Sequence, residues 1–240
     1  MVPLRADRPS GSVPLTITLA CALLAAYCWQ WWLGDQVHSL VGSGGLIPAR
    51  VSSATSWSVV GPIGQITSLA THIFLHDGWI HVLSNTWWLL LFGGAVEIRM
   101  GKPKFVLFFL IGGMISGAGY ALAHPDSVRA LIGASGAIST VMGAYVYLYP
   151  DARVSTLLLP VPIRVKVPAW VYLLFWLVLQ TVLALVTHHQ EAPVAFLAHI
   201  IGFAFGFGWC WLRLGKSVRQ ELAAASAGHE VQPLASGELQ

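Results

Sequence analysis

Residues 131–140 read "LIGASGAIST", and Ser135 at their centre is a hydroxyl flanked by glycines in an otherwise apolar run. Two other stretches carry imidazoles and an amide. "WIHVLSNTWW" places His81 and Asn85 four residues apart, and "FLAHIIGFAFG" places His199 ahead of Gly202 and Gly206. A serine hydroxyl beside a neutral imidazole is the smallest nucleophile and base pair, and donors such as His81 and Asn85 could hold an oxyanion. Each residue alone also has a plainer reading. Ser135 in "GASGA" is a small residue that lets helices approach, Asn85 is interhelical glue, and a lone His199 is evenly balanced between helix-to-helix bonding and function.

The choice depends on the elements that carry these residues. Of the 240 residues, 56% are hydrophobic and 10% charged, against about 25% charged in a soluble domain. A helix crosses the hydrocarbon core with about 20 mostly apolar residues. Six windows meet that test: Val13 to Gly34, Trp79 to Val96, Phe105 to Ala123, Ala130 to Pro150, Val167 to Val186 and Ala192 to Leu212, none containing Asp, Glu, Lys or Arg. The expected fold is all-α, a polytopic bundle of six transmembrane helices. Residues 1–12 form a cytoplasmic segment, 13–214 the membrane domain with a long outer loop at 35–78, and 215–240 a flexible cytoplasmic tail.

Orientation follows from the thirteen Lys and Arg residues, because positive charge is retained on the cytoplasmic side. Eleven fall on one side of the alternating spans: Arg5, Arg8, Arg99, Lys102, Lys104, Arg153, Arg164, Lys166, Arg213, Lys216 and Arg219. Only Arg50 and Arg129 fall on the other. Both termini are therefore expected in the cytoplasm, and the first span is expected to be retained rather than cleaved as a signal peptide. The net charge of +3 reflects topology and calls for no nucleic-acid partner. Cys21, Cys28 and Cys210 lie in apolar spans at no metal-like spacing and read as small core residues.

Depth then separates catalysis from packing. Spans two, four and six all enter from the outer side, and His81, Asn85, Ser135 and His199 come early in each. At 1.5 Å per residue they lie roughly 3 to 10 Å below the outer surface. Three helices thus deliver Ser, His, His and Asn to one shallow layer, which separate packing roles explain poorly.

Three motifs together resemble the rhomboid intramembrane serine proteases, over about Leu69 to Trp211. The family's GxSG pattern falls on Gly133, Ala134, Ser135 and Gly136, its HxxxxHxxxN pattern on His76, His81 and Asn85, and its AHxxG pattern on Ala198, His199 and Gly202. The resemblance implies Ser135 as nucleophile and His199 as general base. It makes His81 and Asn85, with the Ser135 N–H, the oxyanion hole, and gives His76, Gly133, Gly136 and Gly202 supporting roles. It also implies transmembrane protein substrates entering from the bilayer between spans two and five, with the loop from His188 to Pro193 as a movable cap. The expected location is the bacterial plasma membrane, with the active site on the extracytoplasmic side. The family's Trp-Arg pair in the first outer loop is absent, where this chain reads "GQITSLATHIFLH".

No acidic residue lies in any window, so a dyad without an orienting carboxylate is expected, with modest turnover and no metal or cofactor. The alternatives are a catalytically silent rhomboid-like protein that binds membrane clients, a transporter, and a metal site at His72, His76 and His81. The absence of an intramembrane carboxylate or lysine disfavours the transporter, and loop placement disfavours the metal site.

Overall fold

The computed structural model describes residues 1–52, 54–158, 160, 162–186 and 195–226. Its elements run in the order β1 (Val2–Ala6), α1 (Pro14–Trp32), α2 (Val37–Gly44), α3 (Pro48–Ser52), α4 (Ala54–Thr71), α5 (Trp79–Met100), α6 (Lys102–Ala123), α7 (Ser135–Leu148), β2 (Arg153–Leu158), β3 (Ile163–Pro168), α8 (Ala169–Val186) and α9 (Phe196–Ser226). Helices α5, α6, α7 and α9 pack around a core that includes Phe92, Phe109, Val141 and Tyr145. Large apolar side chains such as Trp31, Trp32, Ile80, Leu122 and Leu185 are exposed on the periphery. A surface this greasy is stable against lipid tails and not against water.

Four described helical stretches are long and apolar enough to cross a membrane: Pro14–Trp32, Lys102–Ala123, Ala169–Val186 and Phe196–Arg213. Helix α5 has 22 residues, but its imidazole, amide and carboxylate lower its hydropathy. Helix α7 has only 14 residues and spans about 21 Å at 1.5 Å per residue.

Three expectations are corrected here. The fourth window begins as a helix at Ser135, not at Ala130. Residues 130–134 before it are non-helical, with the Leu131 and Leu46 backbones exchanging hydrogen bonds of 2.7 and 3.1 Å and Gly133 N–H donating to His72 O at 2.8 Å. The chain is also not purely helical. Strands β1, β2 and β3 form an antiparallel sheet in that order, pairing Ala6 with Val154 and Arg153 with Pro168. Alternation explains it, since Ala6, Val154 and Thr156 are buried while Arg5 and Arg153 are exposed. Residues 1–12 are accordingly tied to the bundle, with Tyr145 Oη–H donating to Asp7 O at 2.6 Å and Trp87 Nε1–H to Pro3 O at 3.0 Å. Finally, Cys21 and Cys28 face outward, and only Cys210 is in the core. The tail beyond residue 226 lies outside the described residues.

Helix α1 starts after Val13, which has no side-chain oxygen to cap it, with Pro14 in its first turn. Its free N–H groups are met by a carboxylate from another helix. Glu97 of α5, 1% exposed, accepts from Leu15 N–H at 3.0 Å, Thr16 N–H at 2.7 Å and Thr16 Oγ1–H at 2.7 Å. Glu97→Ala would strand all three donors in the interior. A loss of about 3 kcal/mol is expected, read as a lower thermal unfolding midpoint in detergent.

Candidate active site

The site sits where three helices begin. Ser135 is the first residue of α7, His81 the third of α5 and His199 the fourth of α9. Helix N-termini carry unpaired N–H groups and the positive end of the helix dipole, which favours negative charge placed there. The abrupt start of α7 rests on Gly133, whose φ of 121° suits glycine. A Cβ there would also lie 2.7 Å from His81 Nε2, so that imidazole packs directly on the turn that presents Ser135.

Ser135 Oγ lies 2.7 Å from His199 Nε2, and His199 Nδ1 lies 2.7 Å from Gln180 Oε1 on α8. With the Nδ1–H donating to Gln180, Nε2 is free to accept the serine proton. The His199 ring stacks on Trp176, centroids 6.0 Å apart at 27°. Close contact between α7 and α9 makes the pairing possible, since a Cβ on Gly202 would sit 2.3 Å from Gly136 O. Gly136 leaves room for Ser116, whose Oγ–H donates to Ala198 O at 2.7 Å.

The opposite wall comes from α5 and the turn before it. Asn85 Nδ2–H donates to His76 Nε2 at 3.0 Å. The His76 backbone is held in turn by Gln30 of α1, through N–H to Oε1 at 2.9 Å and Nε2–H to O at 3.1 Å. Burial, then the neighbouring His81, pushes the His76 pKa down to about 4. Its ring is therefore neutral at pH 7 and able to accept from Asn85. His81 Nδ1–H donates to Asp77 Oδ1 at 2.5 Å, which fixes the ring with Nε2 toward Gly133. A cavity of about 760 Å³ joins these groups, lined by Ser135, His199, His81, Asn85, Gln180 and Arg129 among others. It provides room for a peptide segment and water beside the serine.

All four candidates for chemistry, Ser135, His199, His81 and Asn85, thus line one cavity. His76 lies behind Asn85. His72 turns away, its Nδ1–H donating to Ser68 O at 3.0 Å, and burial lowers its pKa to about 4. Among the described residues no group of three His, Cys, Asp or Glu side chains is disposed to hold a metal ion. The segment from His188 to Pro193 lies wholly within residues 187–194, outside the described ones. Sequence reasoning passed over Gln180 and Trp176. Their signal was available: within α8 only Tyr172, Gln180 and Thr181 carry polar atoms besides Trp170 and Trp176, and Trp176 and Gln180 stand four apart on one face.

The fold and site define an integral membrane helical bundle with a serine–imidazole pair at its converging helix ends. Residues 63–216 match the family model of the Rhomboid domain, and the chain belongs to that family. It is 37% identical over 86 residues to the putative rhomboid protease YdcA of Bacillus subtilis (strain 168), covering 35% of this chain and 42% of that protein. It is 30% identical over 132 residues to the rhomboid protease GlpG of Enterobacter sp. (strain 638), covering 54% and 42%. A third relative, the rhomboid protease GlpG of Photorhabdus laumondii, is 25% identical over 135 residues, covering 56% and 42%. The matches thus span less than half the length of these relatives.

Proposed function

We propose that this chain is an intramembrane serine endopeptidase that cleaves transmembrane-anchored proteins near the outer face of the membrane. The observation that carries this reading is the 2.7 Å contact between Ser135 Oγ and His199 Nε2 at the wall of a cavity. Ser135 attacks the scissile carbonyl while His199 Nε2 takes its proton. The developing oxyanion is met by the Ser135 N–H, His81 and Asn85 beside the positive end of α7. His199 Nε2–H then protonates the leaving amine, and the acyl-enzyme forms. Water in the cavity attacks next, giving its proton to His199, which returns it to Ser135 as the acid product leaves.

The membrane arrangement belongs to the same proposal. Helices α1, α5, α6, α7, α8 and α9 make six crossings, with the short α7 completed by the non-helical residues before it. The membrane domain is 13–214, with both termini cytoplasmic and the cavity open to the extracytoplasmic side. The relatives' bacterial sources support the plasma membrane as its location.

The test is cleavage of a transmembrane model substrate by protein purified into liposomes, with Ser135→Ala as control. Asn85→Ala is expected to lower kcat by on the order of 10²-fold or less, the loss typical of one oxyanion donor. A folded wild-type protein inactive against several unrelated transmembrane substrates would point instead to client binding without catalysis.

A further inference from the structure

We propose that Gln180 is the positioning residue of the dyad, holding His199 in the one tautomer that can act as a base. This role rests on the serine protease reading above and extends it to α8. A neutral imidazole has a single ring proton. If that proton sat on Nε2, His199 would face Ser135 as a donor and could not accept from it. Gln180 Oε1, 2.7 Å from Nδ1, draws the proton to the far nitrogen and leaves the Nε2 lone pair toward Ser135 Oγ, also at 2.7 Å.

The surroundings of Gln180 argue that this contact is a built feature. The buried residues of helix α8 are Ala169, Tyr172, Leu173 and Gln180, so Gln180 and the Tyr172 hydroxyl bring the polar groups among them. An amide buried in such a helix is costly unless it is hydrogen-bonded, and Gln180, 8% exposed, is aimed at the catalytic imidazole. One turn earlier on the same face, Trp176 stacks against the same ring, with centroids 6.0 Å apart. One helix therefore sets both the plane of the His199 ring and its proton. No carboxylate among the described residues bonds to His199. Asp77 is engaged by His81 instead, so a neutral amide does the orienting.

Two substitutions of Gln180 and one spectrum test the role. Gln180→Leu, similar in size but without the acceptor, is expected to slow labelling by a fluorophosphonate roughly 10- to 30-fold, as for one lost hydrogen bond at the base. The same loss should appear in kcat for a transmembrane model substrate, with KM unchanged. Gln180→Glu keeps an acceptor oxygen at the same reach and should recover most of the rate. The ¹⁵N spectrum of histidine-labelled wild-type protein, assigned by difference from His199→Ala, should show His199 protonated on Nδ1 and bare on Nε2. It tests the role even if Gln180→Leu fails to fold. Wild-type labelling by Gln180→Leu, equal slowing in the Leu and Glu variants, or an Nε2-protonated His199 would overturn it. Ser135→Ala separates the two claims. Labelling that survives in Ser135→Ala removes the protease reading itself, whereas labelling that needs Ser135 but ignores Gln180→Leu removes only the positioning role.

Discussion

His199→Ala is expected to reduce cleavage of a transmembrane substrate to background, a loss of at least roughly 10⁴-fold, as when a base is removed from a serine hydrolase. The serine hydroxyl is a weak nucleophile without an acceptor for its proton, and among the described residues the site offers no substitute. His81, the other imidazole among the described residues that line the cavity, is turned to Asp77 through Nδ1 and lies against Gly133. His76 faces Asn85. The substitution also strips Gln180 of its partner, which costs about 1–3 kcal/mol. The activity comparison therefore belongs on protein whose thermal midpoint shows it folded. Under that condition the outcome separates a catalytic imidazole from one that only ties α8 to α9, because a tie would affect the midpoint and spare the rate.

The second large effect is expected far from the chemistry. A Cβ on Gly206 of α9 would lie 1.9 Å from Thr140 O and 2.7 Å from Thr140 C on α7. Both are backbone atoms and cannot rotate aside, so Gly206→Ala must push the two helices apart by more than 1 Å, given that such contacts ordinarily lie near ~3.5 Å. These are the helices that carry Ser135 and His199, and a misplacement of about 1 Å can cost about 10²-fold in rate. A loss of about 2–4 kcal/mol in stability is expected with it. Gly208, two residues on, has nothing within 4 Å of its would-be Cβ. Gly208→Ala should leave both measurements near wild type, which makes the pair an internal control for general effects of alanine on α9.

These two glycines mark what the sequence makes legible. The stripes of His81 with Asn85, Ser135 with Ser139, and His199 with Gly202 and Gly206 are visible at helical spacing, because each lies on a single helix. The early position of each in its span points to a common layer. What periodicity cannot display is which helix lies beside which. Gln180 reads as a stray amide in a greasy run until α8 is seen against His199, and Glu97 falls one residue past its apolar window although it caps α1. Hydropathy windows also blur the onset of α7. Residues 130–134 are as apolar as the helix that follows, and the positive φ at Gly133, its N–H bond to His72 O and the pairing of Leu131 with Leu46 keep the helix from starting earlier. The small sheet escaped for the same reason, since a window tuned to 20 residues overlooks strands of five or six.

The central claim, that Ser135 is a nucleophile activated by His199, is tested most directly by covalent labelling with a fluorophosphonate, which needs no known substrate. Wild-type protein in detergent should label at a single site that peptide mapping places on Ser135, and folded Ser135→Ala and His199→Ala proteins should not label above background. Labelling of Ser135→Ala at the wild-type rate, or a folded wild type that never labels, would contradict it.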